Sequence, residues 1–203
     1  MKFAALMTAA VVTLATTLAT ALPAAAEKLS LNQISAYLND LQSAQGAFTQ
    51  INEDGSISTG TIYIKRPGRV RFEYNPPEEA LVMANSGQVI ILDRKLGGAP
   101  ESYPLSQTPL SIILARNVNL GQANMVQGVS FDGTATTVVA QDPKRAEYGS
   151  IEMKFTGSPV ELRQWVIRDS SGSSTTVVLG DLSRTEVSNA LFDVRSELAK
   201  NNR

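Results

Sequence analysis

The chain has 203 residues, 43% of them hydrophobic, 18% charged and 6% aromatic, with a formal net charge of −1. That length suits one domain with a sizeable core, and the balanced charge argues against coating nucleic acid or anionic membrane by bulk electrostatics. The sequence contains 0 Cys and 0 His, which excludes disulfides, thiol redox chemistry, structural zinc sites and nucleophile systems built on Ser-His or Cys-His.

The first residues read as an export leader. Lys2 supplies a positive start, Phe3 to Leu22 carry no charge, and Pro23 precedes Ala24-Ala25-Ala26, a small-x-small cleavage site. The expectation is a cleavable leader over residues 1–26 and one exported domain over residues 27–203. A retained membrane anchor is the alternative, weakened by the Thr residues between Thr8 and Thr20 that dilute the apolarity. A lipid anchor on this chain lacks the Cys that would carry it.

Ser30 followed by Leu31-Asn32-Gln33 reads as a capping box. Leu31, Ile34, Leu38 and Leu41 then recur at helical spacing with Tyr37 at the margin, while Asn32, Ser35, Asn39 and Asp40 face away. This predicts a half-buried helix ending near Gly46. The period then changes to two. Ile62 and Ile64 alternate with Thr61, Tyr63 and Lys65. Val70, Phe72 and Tyr74 alternate with Arg69, Arg71 and Glu73, and Ile151, Met153 and Phe155 with Glu152 and Lys154. Such alternation predicts antiparallel strands with one wet face. Asp54-Gly55, Pro67-Gly68, Ser86-Gly87, Asp132-Gly133 and Ser171-Gly172 punctuate the runs as turns.

Two segments depart from alternation. Val89-Ile90-Ile91-Leu92 is apolar on both faces and should be covered on both sides. Thr108-Pro109 followed by Leu110, Ile112, Ile113 and Leu114 up to Arg116 reads as a short helix with Thr108 as N-cap and Pro109 as its first residue. Residues 197–203 read as a polar, frayed tail. The fold class that fits is mainly β with α: one long curved antiparallel sheet, too long to stay flat, plugged by two or three short amphipathic helices.

No catalytic constellation stands out. Glu78-Glu79, Asp181 with Glu186, and Asp193 with Glu197 read as solvated turn or edge charges. No Gly-x-Ser-x-Gly elbow occurs, and Gly97-Gly98 reads as a hairpin tip rather than a phosphate loop. The expectation is a non-enzymatic protein without metal or cofactor. The informative stretch is Gly60 to Pro77, a hairpin bending at Pro67-Gly68 in type II geometry. Its cations Lys65, Arg66, Arg69 and Arg71 read as a solubilising edge or a contact for an acidic partner. Arg66, at the strand end before the bend, can reach over the sheet face and donate several hydrogen bonds.

These residues carry a resemblance. Phe48-Thr49-Gln50 after an amphipathic helix, then Gly60-x-Ile62-x-x-Lys65-Arg66-Pro67 running into Arg71-Phe72-x-Tyr74-x-x-Pro77, then Thr108-Pro109 leading to Leu114-Ala115-Arg116-Asn117, resemble the periplasmic outer-membrane lipoprotein carrier proteins, the LolA family. The resemblance implies an incompletely closed antiparallel β-barrel, a half-barrel, with a lid of short α-helices over an apolar cavity. It implies that Arg66 latches the lid with Leu38 beside it. Phe72, Val70, Leu114, Ile113 and Ile90 then form the expected acyl-binding wall. The implied role is a soluble, monomeric periplasmic carrier in a Gram-negative bacterium, ferrying lipoprotein acyl chains from inner to outer membrane. Its implied partners are the inner-membrane lipoprotein-releasing ABC transporter and a possible outer-membrane receptor, with no nucleic acid. The alternatives are a carrier of a glycolipid or sterol-like lipid, and a periplasmic lipid-sensing module on the same fold. Tyr63 stands where the family frequently has Trp, and the chain ends without the Pro-Gly extension of some members.

Overall fold

A computed structural model describes residues 26–95 and 99–201. The expected leader falls on residues 1–25 and the Gly97-Gly98 tip on residues 96–98, outside the described residues apart from Ala26. Helix α1 (Leu31–Asp40) is followed by strands β1 (Ser43–Ile51), β2 (Ile57–Lys65), β3 (Arg69–Tyr74), β4 (Ala80–Asn85), β5 (Gln88–Asp93) and β6 (Glu101–Pro104). After helix α2 (Leu110–Leu114) come β7 (Val126–Phe131), β8 (Ala135–Ala140), β9 (Ser150–Thr156), β10 (Glu161–Arg168) and β11 (Ser174–Leu179), and helix α3 (Val194–Asn201) closes the order.

The eleven strands form one antiparallel sheet in the order β6-β5-β4-β3-β2-β1-β11-β10-β9-β8-β7. It is the expected long sheet, and it stays open, with β6 and β7 at its edges. Each of the five Gly-containing turn signals lies in a hairpin connection. Strand parity sets the two faces. Ile62, Ile64, Val70 and Phe72 point inward with Trp165, Met153 and Phe155, and they share one core with α1 and α2. Helix α1 bridges both halves of the curl: Tyr37 packs edge-on to Phe155 at 5.9 Å, and Ile34 and Leu38 are fully buried.

The capping box forms as expected, the Gln33 amide donating to Ser30 Oγ (3.3 Å) and the Ser30 amide to Gln33 Oε1 (2.9 Å). The helix stops at Asp40, six residues before Gly46, which lies within β1. Leu41 is buried all the same, as the residue that closes the helix. Helix α2 also differs from expectation. Thr108 does not cap it: its hydroxyl donates backward to the Leu105 carbonyl (3.1 Å), Pro109 occupies the cap position, and the helix ends at Leu114. The β2–β3 bend is not a simple type II turn, because three residues separate the last paired positions Lys65 and Arg69. Its Arg66–Pro67 peptide is cis.

The outer face is drier than alternation implies. Residues 183–193 run back across β1 to β4 as a strap. Val187 N–H donates to Ser43 Oγ (2.8 Å) on β1, and Lys65 on β2 donates to the Val187 carbonyl (2.6 Å) and pairs with Glu186. On β3, Arg69 donates to Asn189 Oδ1 (2.9 Å) and Arg71 to the Leu191 carbonyl (3.0 Å); on β4, Asn85 donates to the Phe192 carbonyl (2.8 Å). Beneath it Met83, Val187 and Phe192 form a second small core. Three of the four hairpin cations, Lys65, Arg69 and Arg71, are thus engaged by the chain's own strap, which removes the reading of a free solubilising edge. The tail is not frayed over the described residues either. Glu197 in α3 is buried and bonded to Arg71, Arg94 and Lys200. The two-sided apolar run is covered on both sides as expected, with Val89 and Leu92 buried on opposite faces.

Gly60, in the hairpin motif, has a steric reason. A Cβ there would lie 2.2 Å from the Glu73 carbonyl oxygen and 2.7 Å from the Phe48 ring. That ring is itself pinned edge-on between Phe72 (5.3 Å) and Tyr74 (5.1 Å). Gly60→Ala should therefore cost about 2–3 kcal/mol, because the obstacle is backbone that cannot swing aside. Urea unfolding checks this, and an unchanged midpoint would show that the strands part easily.

Candidate functional site

The end of β2 delivers Arg66 to the lid. Its amide donates to the Gln42 carbonyl (2.8 Å) just after α1, and the Gly68 amide donates to the Leu114 carbonyl (2.8 Å) at the end of α2. The bend therefore touches both lid helices through its backbone, and the Arg66 side chain turns inward, 5% exposed. Its Nη2 donates to the Ala115 carbonyl and, at a long 3.4 Å, to Asn39 Oδ1. Its Nε and Nη1 are buried without a hydrogen-bond partner. Burial lowers the Arg66 pKa from its ordinary value. A guanidinium so placed is charged, desolvated and only partly satisfied, an arrangement that holds the lid and at the same time weakens it.

The two lid segments are tied to each other by polar groups on α1. Asn39 Nδ2 donates to the Val118 carbonyl (2.9 Å) and its Oδ1 accepts from the Val118 amide (2.8 Å), while Ser35 Oγ accepts from the Leu120 amide (3.1 Å). The helical wheel places Asn39 and Ser35 on the solvent side. It identifies the face that meets the sheet, whereas these residues meet the returning segment 115–120, which packs against the helix flank. Asn39→Ala leaves a backbone donor and acceptor unpaired and should destabilise the protein by about 1–3 kcal/mol. It should also raise binding of a hydrophobic dye as the lid loosens. Unaltered dye binding would show that Asn39 does not hold the lid.

Leu38, Arg66, Val70, Ile113 and Leu114 come together around a gap of only 10 Å³ beneath the lid, closed by Trp165 and neighbouring aliphatic side chains. The lid in this structure is shut. Phe72 lies beyond Trp165 in a larger, partly open hollow of 510 Å³, with Val82, Val89, Ile91 and Leu110 on its wall. Polar groups stand at the same hollow: the Tyr74 hydroxyl donates to Gln50 Oε1 (2.6 Å), and burial pushes the Tyr74 pKa up to about 12. Ile90 does not line this space. Val89 and Ile91 do, and strand parity turns Ile90 to the opposite face, where it pairs with Met83 of the outer core. A run apolar on both faces carries no parity signal, so its inward residues are not legible from sequence. Trp165, which borders both the gap and the hollow, was missed, although it is the sole Trp and opens the apolar run Trp165-Val166-Ile167.

Residues 39–195 match the family described as "Outer membrane lipoprotein carrier protein LolA". An outer-membrane lipoprotein carrier protein of Cupriavidus taiwanensis is 26% identical over 167 residues, covering 76% of this chain and 78% of that protein. One of Dechloromonas aromatica is 27% identical over 176 residues, covering 80% and 81%. Among solved structures, a LolA superfamily protein of Nitrosomonas europaea aligns with a TM-score of 0.44 at 10% identity, covering 83% of this chain and 99% of that one. The family match spans α2, the Arg66 bend, the hollow and the strap, and on that match the chain belongs to the outer membrane lipoprotein carrier protein LolA family.

Proposed function

We propose that this protein is a periplasmic carrier that shelters lipoprotein acyl chains between the inner and outer membranes, acting by binding rather than catalysis. The observation that carries the reading is a shut lid held to the sheet in part by an under-satisfied buried arginine, near a largely aliphatic and aromatic hollow. A hydrocarbon tail gains about 0.8 kcal/mol for each methylene it buries. At about 30 Å³ per water-sized group, the 510 Å³ hollow accommodates about one long chain. A cargo with more chains requires the lid to lift, because the 10 Å³ gap beneath it has no room for a chain while Arg66 holds Ala115. Loading therefore replaces lid side chains by cargo methylenes over the same wall. Hand-over requires that the loaded state exceed the shut state by only a few kcal/mol. The inner-membrane releasing ABC transporter and an outer-membrane receptor are the partners this role calls for.

Native mass spectrometry of the exported protein, purified from its host, tests the reading by the mass that accompanies it. An acylated protein or its lipopeptide remnant is expected. A glycolipid or sterol-like lipid in its place would transfer the role to another amphiphile. Incubation with vesicles bearing a triacylated lipoprotein should, in addition, draw that lipoprotein into the soluble fraction. No extraction at saturating carrier would defeat the proposal.

A further inference from the structure

Three buried donor groups under the lid, on two side chains, have no acceptor. Arg66 is 5% exposed and its Nε and Nη1 are unpartnered; Trp165 is 1% exposed and its Nε1 is unpartnered. Both side chains line the 10 Å³ gap, whose remaining wall is aliphatic, including Leu38, Ile64, Val70 and Leu114. Trp165 also borders the 510 Å³ hollow, so it stands at the passage from one space to the other. Buried N–H groups normally find partners, and three left open in one apolar gap mark a place where an acceptor belongs in another state of the protein.

We propose that Arg66 and Trp165 form a carbonyl-binding site that receives an ester or amide oxygen of an acylated ligand when the lid lifts. This rests on the carrier reading above and names the chemistry it recognises beyond the tails. In the shut state Arg66 already donates to a carbonyl oxygen, that of Ala115. An acyl ester or amide offers the same acceptor, so the ligand replaces the lid on the guanidinium without loss of a charge-assisted bond. Trp165 gains a first partner. Nothing of this size enters the shut gap, which at 10 Å³ has room for about one water at most. The site is therefore assembled only as α2 moves away, and carbonyl binding and lid opening become one event. Hydrocarbon lacking a carbonyl next to its head fills the hollow but does not hold the lid open as well.

The test compares two synthetic lipopeptides of equal chain length on the exported protein, one with two ester-linked chains and one with two ether-linked chains. Titration calorimetry should show the diester binding at least fivefold more tightly. Trp165→Phe keeps an aromatic ring and deletes the N–H; it should lower the diester-to-diether ratio by weakening diester binding more than diether binding. Arg66→Leu should lower the ratio as well. A diester phospholipid that competes with the diester lipopeptide would support the site and identify bulk lipid as a source of the carbonyl. Equal affinities for diester and diether in the unaltered protein overturn the site and leave the carrier reading standing. Failure of both lipopeptides to bind defeats both.

Discussion

Glu197→Ala should destabilise the folded protein by about 3–5 kcal/mol, the cost of removing one partner from a buried ion pair. The Glu197 carboxylate is 4% exposed and lies 3.3 Å from Arg71 Nη1, 2.5 Å from Arg94 Nη2 and 2.9 Å from Lys200 Nζ. Arg71, also 4% exposed, keeps only Glu73 (3.2 Å) and the Leu191 carbonyl once Glu197 is gone. Arg71 and Arg94 would then share the Glu73 carboxylate, and Lys200 would lose its pairing with Glu197. Urea unfolding measures the loss, and Glu197→Gln, which retains the acceptor oxygen, should lose less. A midpoint unchanged in Glu197→Ala would mean that the cluster is decorative. The pH dependence has a fixed sign. Burial raises the Glu197 pKa, but Lys200, Arg71 and Arg94 together outweigh it and leave the group below its ordinary value of 4.5. A depressed folded-state pKa stabilises the protein above the unfolded value, and that contribution is lost as pH falls through the folded one. The wild type should therefore lose stability below about pH 4.5 more steeply than Glu197→Gln.

The second large effect is kinetic. Arg66→Leu should slow transfer of a lipoprotein between vesicles by about tenfold or more while leaving thermal stability undiminished. Leucine loses the bonds to Ala115 and Asn39, yet it fits among Leu38, Ile64, Val70 and Leu114 without burying any unpaired donor. Replacing a buried, under-satisfied charged group by an apolar one is often neutral or stabilising. Relief of one unsatisfied donor is worth about 1–3 kcal/mol, and 1.4 kcal/mol shifts a shut-to-open equilibrium tenfold. The lid should thus be fastened more firmly by leucine than by arginine. Arg66→Ala separates the alternatives, because it deletes both the polar contact and the volume and should loosen the lid. Normal transfer by Arg66→Leu would remove Arg66 from the mechanism.

The physical picture is a carrier whose two faces are held by different chemistry. The outer face is fastened by charge: the strap crosses four strands with a side-chain hydrogen bond at each, and α3 adds the Glu197 cluster. The inner face is fastened by apolar packing, one partly satisfied guanidinium and the two backbone hydrogen bonds of the bend. In the carrier role proposed above, the inner face is the one that opens, and contacts that are cheap to break suit it, whereas the outer face is held by a network that is not. The strap also explains why the open sheet tolerates one loosely packed region. Strands β1 to β4 are cross-tied from behind by the strap.

Period-two alternation and glycine turns were sufficient to place five of the hairpin connections, because both are local: the pleat repeats every two residues, and tight bends require particular backbone angles. The capping box and the stripe of α1 were legible for the same reason. Arg66 was legible as a residue with reach, and the structure adds that it bonds to Ala115 beneath the lid. Tertiary structure alone decided what covers each face. Alternation states that Arg69, Arg71 and Glu73 share a side, but not that residues 183–201 return over a hundred positions later to bury it. It could not assign Ile90, whose neighbours are apolar on both faces, nor bring Asn39 to Val118, 79 residues away. Neither could it pair the unsatisfied donors of Arg66 and Trp165. Local sequence fixes backbone period and chain reversal, while burial depends on which distant segment arrives, and that is set by the packing of the whole.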